Sequence, residues 1–191
     1  MEVTNLLDIH TRADLYEWYL ANHDKVSDFW LRINRADKPF PGVISYIDAV
    51  EVALCFGWID STQKRIDDGK PIQHFTPRRK GSNWCEQNRE RCRRLIRLGE
   101  MTPAGEAVLP DIDPGHFVFQ DWVLDAIKAD PDAWRNFQSF PDCYKRIKVD
   151  RIQHYMDTGR SEEAYRVLRI FVADTAAGKI QRGWSDGGRL E

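Results

Sequence analysis

"LCFGWIDSTQKRID", residues 54–67, decides how the chain reads. Leu54 and Cys55 close an apolar helical run, and Gly57 suits a helix end because it tolerates left-handed backbone. From Trp58 to Ile66 the pattern becomes that of a strand. "DDGK" (67–70) reads as a tight turn and "PIQHFTPRR" (71–79) as the next strand. Two strands joined so closely should pair antiparallel. A helix that runs into a hairpin places this part of the chain in the α+β class.

Upstream, Thr11 and Asp14 resemble a capping box for a helix with Leu15, Trp18 and Tyr19 on one face. "SDFWLRINR" (27–35) alternates, with Phe29, Leu31 and Ile33 to one side and Trp30, Arg32 and Asn34 to the other. That is a half-buried strand. "KPFPG" (38–42) is turn material, and Ser45 with Asp48 caps the helix carrying Ile47, Val50 and Leu54. Downstream, Asn83 and Glu86 form a cap pair for a helix reaching about Leu98. Cys85, Asn88, Cys92, Leu95 and Ile96 line one side of it, and Arg89, Arg93 and Arg97 another.

Pro103 after Thr102 opens a short helix, and "PDIDPGHF" (110–117) has linker composition. Segments 119–129, 131–139, 142–157 and 161–178 all read as helix, the last capped by Ser161. The expected architecture is α+β: a small antiparallel sheet of about three strands packed with helices over residues 1–108. An all-helical segment follows over 118–180, then a flexible tail over 181–191.

A hydrophobic content of 42% in 191 residues, with seven Trp, supplies a core for one domain or one domain with a helical extension. The net charge of −2 argues against gripping nucleic acid through the overall field. Arg89, Arg91, Arg93, Arg94 and Arg97, opposed by Glu86 and Glu90, keep a local nucleic-acid face as a third idea. The four cysteines form no CxxC pair and the five histidines no HxxxH, so no metal site is expected. Cys55, Cys85 and Cys92 read as buried thiols. The N-terminus lacks a signal-peptide pattern, and no apolar run approaches the ~20 residues of a membrane span, so a soluble cytoplasmic protein is expected.

Two stretches concentrate chemistry. Arg78, Arg79 and Lys80 run through Gly81, Ser82 and Asn83 into a helix start, where unpaired amides and the helix dipole attract anions. Trp84 offers a flat wall there. Asp60 and Ser61 lie on the preceding strand with Lys64 and Arg65, where a carboxylate beside cations orients a ligand or forms a structural ion pair. His74 is an acid–base candidate on the second strand. No GxSxG, GxGxxG or P-loop is present, so no catalytic residue is assigned.

"VALCFGWIDSTQKRIDD" (52–68) and "FTPRRKGSNWCEQNRERCRRLIRLGEMTPAG" (75–105) resemble the signature of the YdeI/OmpD-associated bacterial family, often labelled bacteriocin-protection. The similarity runs from about Tyr46 to Gly105. "CYKRIKVDRIQHYMDTGRSEEAYRVLRIFVADTAAGK" (143–179) looks like that family's terminal helical segment in the order of its features. Gly159-Arg160 stands where a basic pair is usual.

The resemblance implies a cytoplasmic, non-enzymatic stress protein, or one that resists bacteriocins and antimicrobial peptides. It brings no reaction and no cofactor. The expected site is an anion-binding groove between the hairpin and the helix start. Its residues are Trp58, Asp60, Ser61, Arg65, Arg78, Arg79, Ser82, Asn83, Trp84 and Asn88, and its partner a small anionic ligand or a protein. The alternatives are an enzyme acting on a phosphorylated or carboxylated small molecule, with Asp60 or His74 as acid or base, and a nucleic-acid binder.

Overall fold

The computed structural model describes residues 2–35, 41–66 and 69–190. Its elements are β1 (Leu6–Leu7), α1 (Arg12–Asn22), β2 (Phe29–Arg32), α2 (Tyr46–Cys55), β3 (Trp58–Arg65), β4 (Pro71–Pro77), α3 (Glu86–Arg97) and α4 (Pro103–Glu106). A 3-10 turn at Pro114–His116 precedes α5 (Asp121–Lys128), α6 (Pro131–Ser139), α7 (Asp142–Asp157) and α8 (Ser161–Ala176). The chain is α+β, as expected. It divides into two compact units, one made of Met1–Asn83 with Cys92–Pro110, the other of Trp84–Arg91 with Asp111–Glu191.

In the first unit a four-stranded sheet has the order β1-β2-β4-β3. β3 and β4 form the expected antiparallel hairpin, β2 adds antiparallel to β4, and the short β1 pairs parallel with β2, making the sheet mixed. Asp67 and Asp68 of the expected turn, and Lys38, Pro39 and Phe40 of the "KPFPG" turn, lie outside the described residues. Both caps in this unit form as the spacing predicts: Thr11 accepts from the Asp14 amide and Ser45 from the Asp48 amide.

The core grows from one face of the sheet. Side chains alternate along a strand, so Phe29, Leu31, Trp58 and Phe75 share a face, and the register pairs Phe29 with Phe75. Tyr19 of α1 meets Phe29 and Trp58 edge-on and stacks on Phe56 at the end of α2. Burying aromatics of this size contributes about 1.5–3 kcal/mol each. A buried carboxylate, Glu51 of α2, accepts from Arg12 of α1 and Arg94 of α3, so the charge inside is neutralised twice.

Gly57 and Gly105 let α2 and α4 approach. Gly57 has φ +75°, and a Cβ there would lie 2.9 Å from Ala104 O. A Cβ on Gly105 would lie 2.3 Å from Cys55 O.

The second unit holds four of the expected helices within two residues of their predicted ends. Val123, Ile127, Phe137, Tyr144, Val149, Ile152 and Phe171 form its core. Ser161 is the first helical residue of α8, and the cap position falls on Arg160 with no side-chain bond. The tail expected to be flexible is packed: Leu190 is 3% exposed among Cys143 and Ile147, with Trp184 against them.

The helix after "GSNW" starts at Glu86, later than its cap pair predicts. Cys85 O accepts from the Asn88 and Arg89 amides, which leaves Asn83 outside the first turn. Cys85 is consequently exposed, not one of the buried thiols, whereas Cys55 and Cys92 are buried as read. Burial pushes the Cys55 thiol up to about 12.

Candidate functional site

Eight residues of the expected groove lie in the first unit, and they do not gather in one place. Trp58 is 1% exposed, and its indole donates to His23 O at 3.3 Å, so it is core and not a wall. Asp60 follows on the same face, pairs in register with Phe75, and accepts from the Tyr46 hydroxyl at 2.8 Å. Beside it Arg35 lies 3.6 Å from the Tyr46 ring centre and donates to Gln73 Oε1 at 2.9 Å. The acid of the signature thus ties the start of α2 to the hairpin. Arg65 is exposed and donates to Gly69 O across the turn.

Ser61 goes the other way. Asp60 pairs with Phe75 and Gln63 with Gln73, so Ser61 and Thr62 oppose the single residue His74. This bulge sets Ser61 Oγ 2.9 Å from His74 Nδ1, while Gln73 Nε2 donates to Thr62 O. On the other side of the imidazole, Nε2 lies 3.7 Å from Asp28 Oδ2, and the Trp30 ring is centred 4.7 Å away. Lys64 Nζ sits 5.6 Å over Trp30. Trp30 and His74 are both buried although they face away from the aromatic core.

Arg78 belongs to this second face. Its amide donates to Gly57 O and continues the ladder past Pro77, so the pleat carries it with His74 and Thr76, opposite Asp60. Its guanidinium is held by the turn it precedes, with Nη1 3.5 Å from Ser82 Oγ and 3.3 Å from Asn83 O. Arg79 is exposed and its carbonyl closes that turn with the Ser82 amide. Trp84 and Asn88 fall in the second unit, where Trp84 is buried and Asn88 accepts from Arg91.

The anion site expected at the helix start is filled from within. Asp150 of α7 accepts from the Glu86 amide at 2.9 Å, supplying in the second unit the carboxylate that the open amide attracts. Burial raises the Asp150 carboxyl above its ordinary range, with the Glu86 amide pulling the other way. Close by, Arg146 pairs with Glu86 and Glu90. The basic face of α3 is also partly neutralised, Arg94 by Glu51 and Arg91 by Asp186.

A cavity of about 320 Å³ opens where β2 ends and β4 begins, among Arg32, Ile33, Asn34, Val43, Lys70 and Pro71. Its walls are mainly apolar, and two cationic side chains and one amide line it. Arg32 pairs in register with Ile72, next to Lys64, so it lies on the same face as Trp30, Ser61 and His74. A volume of this size suits a small molecule. None of the ten expected residues lines it. The available signal was Arg32, outward in the alternation of 27–35, and Lys70 in the turn, both readable as solvated trim. No group of His, Cys, Asp or Glu among the described residues is arranged to hold a metal ion. No helix among them is long and apolar enough to cross a membrane.

No curated protein and no solved structure matches the chain. A family model described as "Domain of unknown function (DUF8412)" matches residues 7–108, from β1 through α4 and more than half of the sequence, and the chain belongs to that family.

Proposed function

We propose that this chain is a non-enzymatic stress or resistance protein of the bacteriocin- and antimicrobial-peptide-protection kind, working in the cytoplasm by binding a small anionic molecule. The resistance role rests on the resemblance of residues 46–105 to the YdeI/OmpD-associated signature. The binding role rests on the cavity at the hairpin end, which Arg32, Asn34 and Lys70 line together with apolar walls. A carboxylate or phosphate on a compact apolar body fits that combination, since cations fix the charged end and the walls take the rest.

The test is a thermal-shift panel of small carboxylates and phosphates at fixed protein concentration. A ligand at 100 times its Kd raises stability by about 2.7 kcal/mol, and Arg32→Gln or Lys70→Gln should remove the shift. A shift that survives both changes rules this cavity out. In cells, loss of the protein should increase killing by cationic peptides, and the Arg32→Gln form should not restore resistance.

A second reading has its own observation, the line Ser61 Oγ–His74 Nδ1–Asp28 at 2.9 and 3.7 Å. Ser61 is exposed and hydrogen-bonded to a buried imidazole, the arrangement of a nucleophile beside its base. Labelling of Ser61 by a fluorophosphonate, lost in His74→Ala, would favour an acyl- or phosphoryl-transfer enzyme over a binder. An unlabelled Ser61 leaves the pair as a cross-strand contact.

A further inference from the structure

The second unit ends in a segment without helix or strand that is nonetheless held at several points along its length. Gln181 N donates to the Tyr144 hydroxyl, and Lys148 Nζ donates to Arg182 O at 2.8 Å. The Trp184 ring meets Tyr144 edge-on, with centres 5.5 Å apart. Asp186 is gripped by a fork: Arg91 Nε to Oδ2 at 2.7 Å and Nη2 to Oδ1 at 3.0 Å, with Gln87 Nε2 on Oδ1 at 2.9 Å. Both side chains of the ion pair are nearly buried, at 7% and 4% exposure. Leu190 then plugs the site beside Cys143 and Ile147.

Two further observations set this segment apart from ordinary packing. First, its own backbone bonds are local. The Ser185 carbonyl accepts from the amides of Gly188, Arg189 and Leu190, and Asp186 (φ +50°), Gly187 and Gly188 make the left-handed turn. The segment is therefore a locally folded loop, anchored through the backbone at Gln181, Arg182 and Gly183 and through side chains at Trp184, Asp186 and Leu190. Second, the seat is built on two helices, and part of its geometry is set within them. Asn88 Oδ1 takes Arg91 Nη1 at 2.6 Å, which aims the guanidinium from within α3, and Tyr144 is part of the hydrophobic core. An aromatic, an acid two residues on and an aliphatic four further, docked on a prepared Arg fork between helices, is how a short peptide motif binds.

We infer that the α3–α7 face of the second unit is a peptide-docking groove that the chain's own residues 180–190 occupy in cis. The partner it fits is a protein segment with the same chemistry: a bulky aromatic, an acidic residue two positions later and an aliphatic anchor beyond. Arg91 recognises the acid, Tyr144 the aromatic ring, and Cys143 with Ile147 the aliphatic end. The cis segment works as a competitor, so a partner binds only in proportion to the fraction of chains whose groove is open. This inference goes beyond the proposed anion binding and involves different residues.

The full-length chain tests it. Trp184→Ala with Asp186→Ala loosens the cis segment while leaving the groove intact. A labelled peptide copying residues 180–190 should bind this variant at least about tenfold more tightly than the parent chain. Asn in place of Asp at the peptide's acidic position should weaken that binding about tenfold or more, as should Arg91→Lys in the chain, because Lys cannot supply the fork. Hydrogen exchange on the variant should rise across 181–190 and stay protected in α7. Three results overturn the inference. One is a folded variant that binds no peptide, and another is exchange that rises equally through α7, which makes the segment part of the unit's core. The third is a parent chain that dimerises by exchanging this segment, which assigns the groove to a second copy.

Discussion

Asp60 and Ser61 are neighbours in sequence and separated by the thickness of a sheet. The pleat sends Asp60 to the Tyr46 hydroxyl and Ser61 to His74, so one short motif supplies two unrelated contacts. The same scale holds a pair in the linker that residue types alone do not reveal. His116 Nδ1 lies 2.6 Å from Asp111 Oδ2. That hydrogen bond raises the imidazole above its ordinary 6.5. The Asp111 carboxyl is lowered, first by the Asp113 amide and then by His116. Their signs are opposite. The contribution of His116 is complete below 6.5 and lost as pH rises through its raised value. That of Asp111 is present above 3.8 and lost as pH falls through its lowered value. A proton-NMR titration should therefore find the His116 midpoint above 6.5, and Asp111→Asn should bring it down. An unmoved midpoint would mean that the bond does not persist in solution.

At the scale of elements, α2, α4 and the hairpin are fitted by two glycines. Gly105→Ala would push a methyl into Cys55 O and Met101 Sδ, a backbone and a side-chain neighbour at 2.3 and 2.6 Å. Forced overpacking of this kind costs about 1–3 kcal/mol. Chemical denaturation should show that loss, and a variant as stable as the parent would mean that α4 can shift away. The start of α3 gives the complementary lesson. Ser82 and Asn83 have good capping chemistry, yet the helix begins at Glu86 because Asp150, distant in sequence, satisfies its first amide. Local propensity lost to a tertiary partner with a full negative charge at the positive end of the helix.

For the molecule as a whole, the buried charges set how stability follows pH. The folded Asp150 carboxyl is raised, chiefly by burial, so between 3.8 and that raised value the folded chain keeps a proton the unfolded chain has released. Stability then falls as pH rises through that window, and at neutral pH the ionised carboxylate carries the penalty. Asp150→Asn retains an oxygen for the Glu86 amide and removes the charge. Its stability relative to the parent should improve as pH rises from 3.8 through the raised value and then level off. Asp150→Ala loses the acceptor and should cost about 1 kcal/mol at pH 7. Equal losses in the two variants would show that the charge itself is needed there.

Much of the fold was legible in the chain. The Thr11 and Ser45 caps, the hairpin either side of Gly69, Pro103 after Thr102 and the apolar spacing of α5 to α8 are local signals, and local signals suffice where a backbone group and its partner lie within a few residues. Three features needed the tertiary structure. The two residues of β1 carry too little pattern to be read as a strand and exist because Asn5 O and Leu6–Leu7 complete the edge of β2. The bulge sets both Ser61 and Thr62 opposite His74, and no spacing rule announces a one-residue slip. Residues 181–190 read as a tail because Gly and polar residues fill them, yet Trp184, Asp186 and Leu190 are anchored to helices some forty to a hundred positions away. The sequence by itself determined most of the helices and the strands β2 to β4, because those choices rest on neighbours. Only the tertiary structure decided which polar groups meet, because each charge settles on whichever opposite charge or amide burial brings to it.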